Sequence, residues 1–340
     1  MTQAPDSVKI ERLVDSKPIE IDNSYTQLET GIRPERFDDY PGQVRAKENL
    51  QVYVKAAKNR QQAMDHVLLH GPPGLGKTTL ARIIANELEV PFFQTSGPSI
   101  DKAGDLAGIL AGLEKNAVLF IDEIHRLSTA VEEVLYSAME DYCMDIIVGQ
   151  GPAARTVRMP LQPFTLIGAT TRLSLLSRPL VSRFGIQERM EFYDERSLAE
   201  ILKRSAEIQS FSLSSEGALA LAQRSRGTPR TANRLLRRVW DFTEVEGEQQ
   251  ISPSRVDGAL QSMEIDKLGL EPIDRNILKT IEERYAGGPV GLDTLAHTVG
   301  EDKTTLEDVY EPFLVFSGLI VRGSRGREIT DLGRDHIIKD

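Results

Sequence analysis

The sequence predicts an α/β protein in three parts, and three observations carry that prediction. Up to residue 193, short apolar runs alternate with helical patterns, as in a parallel sheet covered on both faces. Residues 194–264 show helical patterns only, which makes a small helical unit. Residues 265–340 carry three helical segments and then two extended runs around a glycine-containing turn, the layout of a winged helix. At roughly 150 residues per domain, a 340-residue chain has room for two or three such units.

Each element follows from local pattern. Residues 1–30 are polar and read as an irregular lead-in, and Pro34 and Pro41 interrupt any helix just after it. Leu50, Val54 and Ala57 lie at i, i+4 and i+7, which places a helix over 45–63. The run HVLLH predicts a first strand, the glycine-rich stretch after it a loop, and TTLARIIANEL a helix. Ala117–Ile121 predicts a second buried strand, 129–141 an amphipathic helix, and Phe164–Ile167 a third strand. Between the last two, 145–148 and 155–159 flank Gly149-Gln-Gly-Pro152 and read as an inserted hairpin. Helices are predicted at 195–208, 215–226 and 229–246, then at 272–285, 291–299 and 303–317. Gly318–Val321 and Arg327–Thr330 would form the final hairpin.

Composition limits the chemistry. Charged residues make up 27% and hydrophobic ones 40%, so the chain is globular rather than disordered. A net charge of −10 excludes a uniformly basic nucleic-acid coat and leaves room for a local basic patch. One cysteine, Cys143, can supply neither an intrachain disulfide nor a multi-thiolate zinc site. Apolar runs reach only about five residues, far short of a membrane span, and the N-terminus lacks a signal-peptide core. A cytoplasmic protein with no membrane association is expected.

The chemistry centres on Gly71-Pro-Pro-Gly-Leu-Gly-Lys77-Thr78, which satisfies G-x-x-x-x-G-K-[ST] in full. Glycines let backbone N–H groups cradle phosphates, and the following helix adds its positive N-terminal end. Lys77 can then pair with β- and γ-phosphate oxygens while the Thr78 hydroxyl ligates magnesium. Asp122 and Glu123 end the apolar strand VLFID. Two carboxylates beside a triphosphate divide the work: Asp122 holds the metal, and Glu123 polarises the attacking water. His125 stands without a second ligand cluster and is given a structural role. Arg183 in LVSRFG and Arg230 in GTPR are candidates for stabilising charge on the leaving phosphate.

This order (P-loop, Asp-Glu pair, threonine after a strand, arginine, helical lid with a further arginine) resembles the AAA+ ATPases. GIRPERFDDYPGQ, GPPGLGKTTLA, FIDEIHRL, IGATTR, SRFGI and GTPRTANRLLRR, with the winged module, resemble the RuvB family of bacterial Holliday-junction branch-migration motors over residues 30–335. The resemblance implies that Ile32 and Arg33 line the nucleotide pocket and that Tyr193 lies beside the adenine at a hinge. It implies phosphate contacts from Gly74, Lys77, Thr78 and Thr79, a γ-phosphate sensor at Thr171, and a lid sensor at Arg230. Arg183 would be a finger inserted into a neighbouring subunit's site, and Glu140, Asp141 and Tyr142 would border the nucleotide. Further implications are ATP with Mg2+, a homo-hexameric ring on duplex DNA at four-way junctions, and RuvA and RuvC as partners.

Two surfaces remain. Arg322, Arg325 and Arg327 flank two glycines in the wing and suit sugar–phosphate contacts without base specificity, and the family places DNA contacts at Arg322 and Arg327. Residues 266–340 hold 10 Lys and Arg against 15 Asp and Glu, so this local patch matters more than net charge. In the family the inserted hairpin docks RuvA, which implies Ile146, Ile147 and Val148 as contacts. The run Arg224, Arg226, Arg230, Arg234, Arg237 and Arg238 is read as subunit interface and solvated face. The alternatives are a clamp-loader-like or initiator ATPase using ATP as an assembly switch, a protein unfoldase, and a small-molecule kinase. No aromatic-glycine pore loop supports the unfoldase, and a kinase explains neither the lid arginine nor the third unit.

Overall fold

The computed structural model describes residues 31–148 and 155–339. The predicted irregular lead-in at 1–30 and the hairpin turn at 149–152 lie outside them. Helix α1 (Val44–Arg60) buries Ala46, Leu50, Val54 and Ala57, the stripe that its spacing predicts. A five-stranded sheet follows, built from β1 (Val67–His70), β2 (Phe92–Ser96), β3 (Val118–Asp122), β6 (Thr165–Thr170) and β7 (Ile186–Arg189). Its order is β2-β3-β6-β1-β7, and every pairing is parallel. Helices α2 (Lys77–Leu88), α3 (Ala103–Ala111), α4 (Thr129–Asp141) and α5 (Arg178–Arg183) complete the layers. Between α4 and β6, β4 (Cys143–Val148) and β5 (Arg155–Pro160) pair antiparallel as a separate two-stranded sheet.

The second unit holds α6 (Glu195–Ile208), α7 (Ser215–Gln223), α8 (Pro229–Val245) and α9 (Pro253–Ser262). Each helix has an N-cap whose side-chain oxygen accepts a backbone N–H: Asp194, Ser214, Thr228 and Ser252. Its apolar residues join those of one face of the sheet in a single buried cluster running from Phe37 to Ile265. The other face of the sheet packs a second cluster that includes Phe120's neighbours Leu119 and Ile121 with Leu135 and Phe164. The third unit has its own core. It comprises α10 (Pro272–Tyr285), α11 (Leu292–Val299), a short α12 (Lys303–Thr305), a π-helical turn Leu306–Tyr310, and α13 (Glu311–Phe316). Strands β8 (Ile320–Gly323) and β9 (Gly326–Ile329) and helix α14 (Asp331–Lys339) close it.

Three departures from the predicted elements stand out. Strands β2 and β7 and helices α3, α5, α9 and α14 are not predicted, and β6 runs on through Gly168, Ala169 and Thr170. The hairpin turn is tighter than predicted, so Arg322 and Arg327 are paired strand residues rather than turn and strand ends. Among the lid arginines, Arg230, Arg234 and Arg238 are exposed, the last two pairing with Glu271 and Asp241, whereas Arg224 is half-buried against Asp257 and Arg226 departs from a solvated face by pairing with buried Asp274.

The winged unit packs against both others. Phe192 and Phe316 place their ring centres 4.4 Å apart. Asp266, at the junction, accepts from Leu268 N and Leu270 N and lies 2.8 Å from His336 Nε2 on α14. Arg226 donates to Asp274 at 2.8 Å and stacks over Phe313. Among the described residues, no helix is long and apolar enough to cross a membrane.

Candidate active site

The strand ends put the chemistry on one edge of the sheet. The loop after β1 turns through Gly71, Gly74 and Gly76, all at positive φ. A Cβ on Gly74 would lie 3.1 Å from the Cβ of Arg230, so the lid closes directly on the loop. The backbone repeats the contact, with Arg230 N donating to Gly74 O at 3.3 Å. Lys77 opens α2, is 8% exposed, and donates from Nζ to Gly71 O and Pro72 O at 2.8 Å each. Burial pulls its ammonium down to about 8, and Arg230 pulls the same way against Asp122. Thr78 and Thr79 follow, half-buried.

β3 delivers the two carboxylates beside this loop. Asp122 Oδ1 accepts from Glu123 N at 2.9 Å. Glu123 sits at φ 48°, a left-handed conformation costing about 1–3 kcal/mol in a non-glycine residue, and its carboxylate pairs with Arg126 at 3.2 Å. His125 binds Thr170 Oγ1 at 2.9 Å, tying the turn after Glu123 to the end of β6. Thr171 follows that end and lines, with His70, Gly71, Pro72 and Pro73, a cleft of about 390 Å³ shared with Glu307 and Asp308 of the winged unit. Among the described residues no three His, Cys, Asp or Glu side chains gather as a metal cage. Thr78 and Asp122 offer hard oxygen donors, a set that suits a magnesium ion drawing its other ligands from phosphate and water.

Tyr193 marks the passage from sheet to lid. Its N donates to Gly227 O at 2.9 Å, and its hydroxyl donates to Tyr40 Oη at 2.9 Å, with Leu75 O 3.3 Å away. Gly42, at φ 71°, lets the ring approach so closely that a Cβ there would stand 2.6 Å from it. Ile32 is buried and Arg33 half-buried. Tyr40 and Gly42 were not singled out from sequence, although both lie in the DDYPGQ stretch that carries the resemblance.

The remaining predicted residues lie elsewhere. Glu140 and Asp141 end α4 and Tyr142 caps it, lying beside the start of β6 at the sheet edge opposite the P-loop. There Tyr142 packs its ring against Phe164 at 5.9 Å, and Asp141 pairs with Arg158. Arg183 ends α5 just before β7 and joins Glu140 at 3.1 Å. Strands of four to six residues separate the two edges, about 13–20 Å at roughly 3.3 Å per residue.

Residues 32–190 match the Holliday junction DNA helicase RuvB P-loop domain, 193–266 the RuvB AAA lid domain, and 267–338 the RuvB C-terminal winged helix domain. The solved Thermotoga maritima RuvB Holliday junction branch migration motor is 48% identical, with a TM-score of 0.83 over 91% of this chain and 98% of that one. Two mutants of the same Thermotoga maritima protein superpose with TM-scores of 0.84 at 48% identity over 90% of this chain and 98% of theirs.

The chain belongs to the RuvB family.

Its P-loop unit is accordingly an ATPase domain that binds nucleotide with a metal ion. The winged unit of this family member departs from expectation at one residue. Arg325 is exposed at the hairpin tip and Arg322 is 55% exposed, reaching Glu307 at 3.2 Å and Glu311 at 3.4 Å. Arg327 instead turns inward, 7% exposed, and forks onto buried Glu311 with bonds of 2.8–3.1 Å. That guanidinium is held inside the module and does not face solvent as a phosphate contact would. On the inserted hairpin, Ile146, Ile147 and Val148 pair in register with Val157, Thr156 and Arg155.

Proposed function

We propose that this chain is an ATP-driven motor that moves duplex DNA to branch-migrate Holliday junctions in recombination and repair. It works as a homo-hexameric ring in the cytoplasm with RuvA, and with RuvC in the same assembly. The observation that carries the proposal is the placement of Arg183 and Glu140–Tyr142 at the sheet edge opposite the P-loop. A guanidinium there serves a triphosphate held by a neighbouring chain, so hydrolysis requires a ring.

In that reaction Lys77 leaves the Gly71 and Pro72 carbonyls for β- and γ-phosphate oxygens. Thr78 and Asp122 would hold Mg2+, which when bound would supply charge neutralisation on those oxygens. Glu123 accepts hydrogen from the attacking water and orients it, and Thr171 reads the γ-phosphate. Arg183 from next door stabilises the leaving charge, an effect of roughly 10³–10⁵ in rate. Arg230 carries the phosphate state into the lid through its contact with Gly74, and rotation at Tyr193 converts it to movement. Ile32 and Arg33 line the base side of the pocket. Arg322 and Arg325 supply sequence-independent phosphate contacts, and the hairpin at Ile146–Val148 docks RuvA.

Steady-state hydrolysis on duplex DNA tests the shared site. Arg183→Ala and Lys77→Ala should each abolish turnover alone and regain part of it when mixed, with ATP binding retained by Arg183→Ala. Full-rate hydrolysis by Arg183→Ala, or by a strictly monomeric preparation, overturns the reading. ATP-dependent dissociation of a synthetic four-way junction, with and without RuvA, tests the motor itself.

A further inference from the structure

Arg183 has no contact with its own P-loop, yet its side chain is fixed from several directions. Its guanidinium lies over the ring of Tyr136, 4.5 Å from the centre, and Nη1 donates to Pro179 O at 2.8 Å. The third contact, Glu140, is 57% exposed, so it is the weak one.

The ring has its own support. Tyr136 Oη donates to Glu132 Oε2 at 3.0 Å, one helical turn back on α4. Ser177 Oγ donates to the same carboxylate oxygen at 2.6 Å. Glu132 is 7% exposed, and burying a carboxylate against hydroxyls is costly where packing alone is needed. Tyr136 Oη and Ser177 Oγ also lie 3.0 Å from each other, so the two hydroxyls and the carboxylate form one hydrogen-bonded cluster. Ser177 Oγ also accepts from Leu180 N at 3.3 Å and so caps α5, the short helix that ends in Arg183. One buried oxygen therefore sets both the platform under the guanidinium and the start of the helix that carries it.

We propose that Tyr136 and Glu132 are positioning residues for the trans-acting Arg183. The ring and the Pro179 carbonyl fix the direction of the guanidinium, and a neighbour's γ-phosphate displaces only the exposed Glu140. The inference rests on the reading of Arg183 given above.

The test uses full-length protein in steady-state hydrolysis on duplex DNA. Tyr136→Leu removes the platform and should lower kcat about tenfold with KM for ATP unchanged, the scale of a partly desolvated cation–π contact. Tyr136→Phe keeps the ring and should retain most of the activity, whereas Glu132→Gln should fall between the two. Tyr136→Met gives a second ring-free variant should the leucine protein fail to fold. Because the defect would lie in the finger that a subunit donates, mixing Tyr136→Leu with Lys77→Ala chains should restore turnover, which an internal folding fault would not allow. An unchanged kcat in folded Tyr136→Leu or Tyr136→Met, or a loss that mixing leaves unrepaired, overturns the inference. If Arg183→Ala is rescued by mixing and Tyr136→Leu is not, the shared site stands and the platform falls. If Arg183→Ala turns over at full rate, the shared site itself falls.

Discussion

Arg172 Nε donates to both carboxylate oxygens of Asp308, at 2.8 and 2.9 Å, across 136 residues of chain. Arg172 follows Thr171, the candidate γ-phosphate sensor, and its own N donates to Thr170 Oγ1. Asp308 lies on the π-helical turn of the winged unit beside Glu307, which in turn pairs with Arg322. The ATPase strand end and the wing hairpin are thus joined through two adjacent carboxylates.

Asp308→Asn keeps the shape and removes the charge. A charge-assisted bond about three-quarters removed from solvent contributes on the order of 1 kcal/mol, so docking of the winged unit should weaken about fivefold. Amide hydrogen exchange over Leu306–Tyr310 and the end of β6 should accelerate accordingly, with ATP affinity unchanged. Unaltered exchange would show that the other contacts, among them Phe192–Phe316 and Arg226–Asp274, hold the unit without this bond.

Lys77 predicts a pH dependence of nucleotide binding. Its folded pKa, about 8, lies below the usual 10.5 because the side chain is buried. A triphosphate raises it again, so above pH 8 binding takes up a proton and affinity falls by at most about tenfold per pH unit. The sign for folding is opposite: stability rises between pH 8 and 10.5, where the unfolded chain holds the proton that the folded one has lost. Calorimetry in two buffers of different ionisation enthalpy near pH 9 should register uptake approaching one proton, and zero uptake would exclude the shift.

The wing separates two kinds of arginine. Replacing Arg322 and Arg325 by alanine should leave thermal stability intact and reduce the salt slope of duplex binding by about 1.8 per engaged subunit, at roughly 0.9 per phosphate. Arg327→Ala leaves the buried Glu311 carboxylate with only the exposed Arg322 at 3.4 Å and should destabilise the module by about 3 kcal/mol. A paired Arg327→Met and Glu311→Leu change should recover much of that loss. Duplex titrations at several salt concentrations, alongside thermal unfolding, distinguish the two arms.

What could be read from sequence was whatever local pattern determines. The P-loop, the carboxylates after VLFID and the capped helices α6 and α8 need only neighbours within one turn. Helix α9 had a legible signal in Ser252-Pro253 and the spacing Val256, Ala259 and Leu260, although Gly258 weakens it. β7 is a four-residue edge strand alternating Ile186 with exposed Gln187, too short to separate from a loop. The inward turn of Arg327 was not legible because its partner, Glu311, is 16 residues away on another element. Nor does spacing reveal that Glu132, Tyr136 and Ser177 meet beneath Arg183, since 45 residues separate the Glu132 carboxylate from the Ser177 hydroxyl.

Tyr193 offers a test of the hinge that leaves the phosphate chemistry untouched. Its hydroxyl donates to Tyr40 Oη beside Leu75 O, while its backbone N holds the lid at Gly227. Tyr193→Phe removes the hydroxyl bond but leaves Tyr40 its own bond to Leu75 O at 3.4 Å, so the loss should be modest, about 1 kcal/mol in thermal unfolding. Gly42→Ala acts on the same ring from the other side. An alanine Cβ would stand 2.6 Å from it in a backbone conformation that L-residues disfavour, forcing the ring out of place. Gly42→Ala should therefore raise KM for ATP several-fold while Tyr193→Phe leaves it nearly unchanged, because ring position and not the hydroxyl sets the lid against the P-loop. Equal KM values for both variants would show that the position of the Tyr193 ring does not set the lid against the P-loop.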